Sequence, residues 1–98
     1  MLIKAKGKSL KKLIQQGKVE GVTPTHVARL ADVLYELRKA VTLKDLPSWL
    51  DLHAYNNYKS RRLPPDKVLW AVKVTAQWRL TLQVKNGVIE LQDYLQYH

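Results

Sequence analysis

The sequence predicts an α+β domain in which two N-terminal helices pack on one face of an antiparallel β-sheet. Three observations lead to this prediction: helical periodicity in the first half of the chain, alternating apolar runs in the second half, and a length of 98 residues. A chain of this length is large enough for one hydrophobic core and little more. We therefore interpret residues 1–98 as a single domain.

The N-terminal segment is predicted to contain a short strand followed by a short helix. Leu2–Ala5 has the composition of a strand. Ser9 is a suitable N-cap and Gly17 a suitable stop for a helix. The apolar residues between them share one helical face: Leu10, Leu13 and Ile14.

A longer amphipathic helix is predicted after the turn at Gly21–Pro24. Pro24 occupies the first helical position, where its missing N–H costs nothing. Apolar residues then recur at spacings of three and four, at Val27, Leu30, Ala31, Leu34, Leu37 and Val41. This spacing predicts a helix of about four to five turns, with the apolar stripe facing the sheet.

The second half of the chain is predicted to form the sheet. Trp49–Tyr55 is interpreted as a strand, and residues 56–67 as a loop because they have no apolar period. Three further strands are predicted, at Leu69–Thr75, Trp78–Lys85 and Val88–Tyr94. Asn86-Gly87 between the last two is the strongest short hairpin signal, so these strands are predicted to form a meander.

Alternation along the strands separates two sheet faces. Trp78, Leu80, Leu82 and Val84 form the apolar set that the helices require, and Trp70, Val72 and Val74 share that face. The opposite face is then expected to be open and polar, with Lys73, Arg79, Thr81 and Gln83. Such a face beside a basic loop suits an RNA backbone. On pattern alone, a merely solvated sheet face is slightly favoured.

Composition indicates the class of partner. Seventeen basic and eight acidic residues give a net charge of +9, which favours a nucleic acid over an acidic protein surface. The absence of Cys excludes disulfides, thiol nucleophiles and Cys-based zinc sites, and the three His lack metal-ligand spacing, so no metal or cofactor is expected. No apolar run reaches the ~18 residues of a membrane span, and no signal peptide is visible, so a cytoplasmic location without membrane contact is expected.

Several segments together resemble one known family. Leu69–Leu82 reads LWAVKVTAQWRLTL, with a Trp-Arg pair opening a strand, and the sequence ends in Tyr97-His98. Leu50-Asp51-Leu52-His53 resembles a Leu-x-x-His stretch that precedes an active-site loop. This arrangement resembles the HigB branch of the RelE-like toxins, also called plasmid maintenance system killer proteins. Two features depart from the family: Gln96 stands where an acid is frequent, and the loop after His53 lacks an aligned Lys.

The resemblance implies a fold, an activity and partners. The fold is the RelE-like, microbial ribonuclease-like fold, and the protein is the toxin of a type II toxin–antitoxin pair. The implied activity is ribosome-dependent cleavage of mRNA in the A site, by attack of a 2′-hydroxyl without a metal. The implied partners are a helix-turn-helix antitoxin of HigA type, the small ribosomal subunit with its mRNA, and operator DNA only through the antitoxin complex.

The resemblance also implies site residues. Arg79 is our candidate for stabilising the transition-state charge, because its planar fork matches phosphate oxygens and stays protonated. Tyr97 and His98 are candidates for acid–base catalysis, followed by His53. The candidate RNA-binding residues are Lys59, Arg61, Arg62 and Lys73. Arg79 is expected to point away from the core, so that its removal costs little stability.

Two other functions remain open from the sequence. The same basic face suits a non-catalytic nucleic-acid-binding protein, and the positive charge also suits a module that binds an acidic protein. His26 is assigned no function. The tyrosines Tyr55, Tyr58, Tyr94 and Tyr97 are each interpreted as packing residues or as residues that stack on bases.

Overall fold

A computed structural model describes residues 1–6, 11, 24–55 and 67–96 of the chain. Within these residues, one α-helix packs on a five-stranded mixed sheet, which confirms the predicted α+β class. The elements are β1 (Leu2–Ala5), α1 (Pro24–Lys39), β2 (His53–Ala54), β3 (Trp70–Lys73), β4 (Trp78–Lys85) and β5 (Val88–Gln96), with 3-10 turns at Leu43–Asp45 and Ser48–Leu50.

The sheet has the strand order β1-β5-β4-β3-β2. The pairs β2–β3, β3–β4 and β4–β5 are antiparallel, but β1 runs parallel to β5, with Leu2 paired to Val88. The prediction of a purely antiparallel sheet is therefore wrong. β1 and β5 can pair in parallel because they lie at opposite ends of the chain, and no hairpin forces them to be antiparallel.

Helix α1 confirms the main helical prediction and begins at Pro24. Its buried face follows helical spacing and consists of Leu30, Val33, Leu34 and Leu37. Two members of the predicted stripe are wrong: Ala31 is exposed, and Val41 is 80% exposed because α1 ends before it. No helix among the described residues is long and apolar enough to cross a membrane.

The predicted helix from Ser9 to Gly17 lies outside the described residues, apart from Lys11. Within the described ranges α1 is the one α-helix with defined bounds, so the prediction of two helices on the sheet is not confirmed.

The predicted strand Trp49–Tyr55 is mostly wrong. Ser48–Leu50 forms a 3-10 turn that begins after Pro47, and Asp51 ends it in the left-handed region at φ +48°. This left-handed residue interrupts the extended backbone, so that only His53–Ala54 pairs with β3.

The C-terminal meander is confirmed. Asn86 and Gly87 both have positive φ, +53° and +74°, as the tight hairpin between β4 and β5 requires. The core forms between α1 and the predicted apolar sheet face, where Leu80, Leu82 and Val72 are fully buried. Trp70 and Trp78 are half-buried and pack against this core, as the alternation predicts.

Candidate active site

Arg79 lies at the start of β4 and is folded back onto the turn that precedes the strand. Its Nη1 atom donates to the carbonyl oxygens of Thr75 at 2.7 Å, Trp78 at 3.1 Å and Ala76 at 3.3 Å. The turn itself is closed by Trp78 N, which donates to Thr75 O at 3.3 Å and to Thr75 Oγ1 at 3.2 Å. The guanidinium is therefore held by a structured turn, and its direction is set before any ligand arrives.

Strand register places three of the predicted site residues on the same face of the sheet. Lys73 pairs directly with Arg79, and His53 pairs with Ala71, which pairs with Thr81. Directly paired residues project to the same face, and so do residues two apart on one strand. His53, Lys73 and Arg79 therefore share the face opposite to α1, as the alternation predicted for the last two.

Lys73 and Arg79 form a pair of like charges on neighbouring strands. Side chains in directly opposed positions have Cβ atoms about 4.5–5.5 Å apart, and like charges there are destabilising. An anion placed over both side chains converts this repulsion into attraction, which makes the position suitable for a phosphate group.

The expectation that this face is open to solvent is wrong. Arg79 is only 8% exposed, Thr81 1% and Ala71 0%. Arg79 Nη1 bonds to backbone carbonyls of the turn, and the Thr81 hydroxyl bonds to the backbone of β5. The expectation that removing Arg79 costs little stability fails with it, since buried hydrogen-bonded groups are costly to remove.

Thr81 is a structural residue that the sequence did not reveal. Its Oγ1 donates to Asp93 O at 3.2 Å and accepts from Asp93 N at 3.0 Å. These bonds lie at a β-bulge, because Thr81 pairs with Asp93 while the next residue, Leu82, pairs with Leu91, which leaves Gln92 as the extra residue. Thr81 therefore stabilises the irregular point of the β4–β5 pair.

The bulge changes which side chains of β5 face the candidate site. After it, Tyr94 pairs with Leu80 on the α1 side, and Leu95 pairs with Arg79 on the opposite side. Uninterrupted alternation from Leu91 would have placed these two side chains the other way round. The only trace in the sequence is that the apolar residues Leu91 and Tyr94 are three apart instead of two.

His53 is half-buried on β2, the strand at the edge of the sheet. Its Nδ1 lies 2.8 Å from the carbonyl oxygen of Asp51. Since a carbonyl oxygen only accepts, Nδ1 must carry the proton, and in the neutral ring the lone pair then resides on Nε2. This tautomer suits a general base that works through Nε2.

A second cluster lies on the α1 side of the sheet, behind Arg79. His26 Nδ1 lies 2.7 Å from the Tyr94 hydroxyl, and the Trp78 ring stacks on Tyr94 with centroids 4.9 Å apart. His26 also meets the edge of Trp78 at 5.6 Å. Burial raises the pKa of the Tyr94 phenol above its ordinary value. His26 and Tyr94 therefore pack within the domain, whereas the sequence had assigned no function to His26 and left Tyr94 open.

The remaining predicted site residues lie outside the described residues. They are Tyr97 and His98, which follow β5, and Lys59, Arg61 and Arg62, which precede β3. The described part of β5 reaches Gln96, which pairs with Trp78, the residue before Arg79. Within residues 1–6, 11, 24–55 and 67–96, no group of three or more His, Asp or Glu side chains is arranged to hold a metal ion.

Comparison with known proteins identifies relatives over the full length. The chain is 31% identical over 99 residues to the endoribonuclease HigB of Proteus vulgaris, with 100% of both chains covered. It is similar in structure to YafQ from E. coli strain BL21(DE3), with a TM-score of 0.59, 18% identity, and 96% of this chain and 90% of that chain covered. It is also similar to a chain of the E. coli DinJ–YafQ complex, with a TM-score of 0.52, 13% identity and the same coverage. No protein-family model matches. The structural likeness shows a shared fold.

Proposed function

Because this chain belongs to the HigB family of RelE-superfamily toxins, we propose that it is the toxin of a type II toxin–antitoxin pair and cleaves mRNA in the ribosomal A site. The observation that carries the proposal is the direct pairing of Lys73 with Arg79 on the sheet face opposite α1. A bound anion is stabilised by two neighbouring cations, and the phosphate backbone of RNA is such an anion.

The proposed reaction needs no metal ion. The 2′-oxygen attacks the adjacent phosphorus and loses its proton to a base, while the bond from phosphorus to the 5′-oxygen breaks and that oxygen takes a proton from an acid. The products are a 2′,3′-cyclic phosphate and a 5′-hydroxyl. The phosphorane between them carries extra negative charge, which a preorganised cation stabilises.

Arg79 is the cation in this mechanism. Hydrogen bonds to three turn carbonyls orient its guanidinium before RNA binds, and preorganisation of this kind is what electrostatic catalysis requires. Lys73 holds the RNA backbone beside it, together with Lys59, Arg61 and Arg62 of the segment before β3.

Tyr97 and His98 are the proposed acid–base pair. Leu95 pairs directly with Arg79, and two further residues of chain span at most about 7 Å. The short distance along the chain supports the proposal that Tyr97 acts on a phosphate bound at Arg79. His53 is the alternative base, because it shares the face of Arg79 and has the tautomer for the task.

Ribosome dependence follows from the weakness of this acid–base set. Tyrosine has an ordinary pKa near 10, far from the operating pH. A weak base needs an aligned substrate, and alignment can lower the activation free energy by about 7–11 kcal/mol. The ribosome provides it by holding mRNA in a fixed backbone geometry, and the net charge of +9 favours docking on ribosomal RNA.

The proposed inhibitor is a helix-turn-helix antitoxin of HigA type, and operator DNA is bound only through the complex with it. The structural neighbour YafQ is known in complex with DinJ, which supports an antitoxin partner. The toxin acts in the cytoplasm, where its ribosomal substrate is found.

The decisive experiment compares cleavage of one message, naked and in a programmed ribosome, at equal protein concentration and in the same buffer. We expect rapid cleavage only on the ribosome, with 2′,3′-cyclic phosphate ends. Equal rates on both substrates would show a self-sufficient ribonuclease. RNA binding without cleavage would instead support the non-catalytic nucleic-acid-binding protein.

Deletion of Tyr97-His98 tests the acid–base assignment separately. We expect the shortened protein to bind programmed ribosomes as the full chain does and to lose cleavage. Full cleavage by the shortened protein would transfer the acid–base role to His53, which a His53→Gln variant then checks.

A further inference from the structure

The turn between β3 and β4 is held by a second arginine, from the opposite side of the sheet. Arg29, on α1, donates from Nε to the carbonyl oxygen of Val74 at 3.1 Å. Arg79 holds the same turn through Thr75, Ala76 and Trp78. Two arginines that lie 50 positions apart in sequence therefore bond to different carbonyl groups of the same short turn.

Hydrogen bonds at the two backbone groups of Val74 connect the two guanidinium groups through this residue. Arg29 Nε donates to Val74 O at 3.1 Å, and Val74 N donates to Trp78 O at 3.0 Å. The same Trp78 oxygen accepts from Arg79 Nη1 at 3.1 Å. A displacement of Val74 therefore moves an acceptor that orients Arg79.

Arg29 is itself fixed in place by an aromatic ring. Its guanidinium carbon lies 4.3 Å from the centroid of Trp49, in the 3-10 turn Ser48–Leu50. Stacking of an arginine on a tryptophan face combines cation–π attraction with a fixed plane for the donors. Arg29 therefore connects three elements: α1, the Trp49 turn and the β3–β4 turn.

We propose that Arg29 is a positioning residue for Arg79. By holding Val74 from the α1 side, it keeps the β3–β4 turn in the conformation that directs the Arg79 guanidinium toward the reacting phosphate. The inference rests on the charge-stabilising role proposed above for Arg79. Arg29 donates to the turn from α1, on the far side of the sheet, so we assign it no contact with RNA.

The test compares Arg29→Gln with Arg38→Gln, since both remove one positive charge from α1 but Arg38 is exposed. For Arg29→Gln we expect kcat on programmed ribosomes to fall about 10- to 100-fold, since a misplacement of about 1 Å costs up to about 100-fold in rate. KM should stay within about two-fold of the value for Arg38→Gln, because both variants lose the same charge.

A spectroscopic measurement separates positioning from a general loss of structure. The guanidinium 15N resonances of Arg79 should shift or broaden in Arg29→Gln and stay unchanged in Arg38→Gln. Trp49→Leu, which removes the ring under Arg29, should produce the same changes to a smaller extent. Trp49→Leu replaces Arg29→Gln as the test variant if Arg29→Gln does not fold.

Different outcomes overturn different statements. Unchanged Arg79 resonances and an unchanged kcat in Arg29→Gln, or a raised KM with unchanged kcat, would overturn the positioning role and leave the proposed function intact. A fully active Arg79→Ala variant would instead overturn the role proposed for Arg79. Shifted Arg79 resonances in Arg29→Gln would still support the structural link between the two arginines.

Discussion

The two faces of strand β4 are both buried, but by different interactions. On the α1 side, Leu80 and Leu82 pack among apolar side chains of the helix and the neighbouring strands. On the other side, Arg79 and Thr81 are also buried, and Arg79 Nη1 and Thr81 Oγ1 bond to backbone groups. Burial alone therefore does not separate the apolar core face from the face of the candidate site; the type of bonding partner does.

This difference has an energetic consequence. Apolar burial stabilises in proportion to the area removed from water and does not depend on particular bonding atoms, although a cavity is costly. Hydrogen-bonded burial depends on particular atoms, because an unsatisfied partner keeps its full desolvation penalty. Substitutions on the two faces should therefore differ in which chemical changes they tolerate.

The largest expected effect on stability is on the apolar face. Leu80→Ala should lower the free energy of unfolding by about 2–5 kcal/mol, because the surrounding core does not fully close the cavity. Urea denaturation measures it. Leu95→Ala, at a half-buried position on the opposite face, is the control and should cost clearly less. Equal costs would show that the two faces do not differ in packing.

Arg79→Ala should impair both activity and stability. Loss of a preorganised charge-stabilising contact lowers the cleavage rate by about 10²–10³, and loss of the charged hydrogen bonds to the turn should cost about 1.5–3 kcal/mol of unfolding free energy. Arg79→Lys should also be slow, because a point charge does not replace the fork. Lys85→Ala, an exposed cation on the same strand, is the control for charge. Normal cleavage by a folded Arg79→Ala protein would contradict the assignment.

Thr81→Val tests whether hydrogen bonds hold the second face. The substitution preserves shape but leaves Asp93 N and O without their partner at the bulge, which should cost about 1–3 kcal/mol. Thr81→Ser keeps the hydroxyl and should retain most of the stability. A Val variant as stable as the wild type would indicate that packing, not hydrogen bonding, stabilises this position.

Tyr94→Phe should have a smaller, pH-dependent effect. Loss of the bond to His26 should cost about 0.5–1.5 kcal/mol near neutral pH. The pKa of Tyr94 is raised in the folded state by burial. Its contribution is therefore complete below the unfolded pKa of about 10 and is lost as pH rises through the folded pKa. The difference between wild type and Tyr94→Phe, measured by denaturation at increasing alkaline pH, should shrink. A constant difference would contradict this origin.

Lys73→Met should produce the smallest change in stability, and in the opposite direction. Relief of the repulsion from Arg79 should raise the free energy of unfolding by about 0.2–1 kcal/mol. The same change should weaken RNA binding. It should also reduce, by about one, the slope of the logarithm of the RNA-binding constant against the logarithm of the salt concentration. Gain of stability without loss of RNA affinity would show that the cation pair does not bind phosphate.

The features that local pattern predicted are those that depend on near neighbours in the chain. Spacing of three and four predicted α1, and alternation predicted β3, β4 and the apolar face of the sheet. The Asn86-Gly87 pair predicted the hairpin because few residue types adopt positive φ without strain. Arg79 was selected by the resemblance, and its face followed from its position in β4.

The arrangement around Arg79 depends instead on contacts between distant parts of the chain. Arg29 bonds to Val74 across 45 positions, and β1 pairs in parallel with β5, at the far end of the chain. Such contacts produce no repeating pattern in the sequence, because each involves single residues that are far apart along the chain. The bulge at Gln92 likewise arises from a mismatch between two strands, which exists only once they pair. Arg79 itself bonds to carbonyl groups only one to four positions away, but alternation predicts the face of a side chain and not whether that side chain folds back onto the backbone.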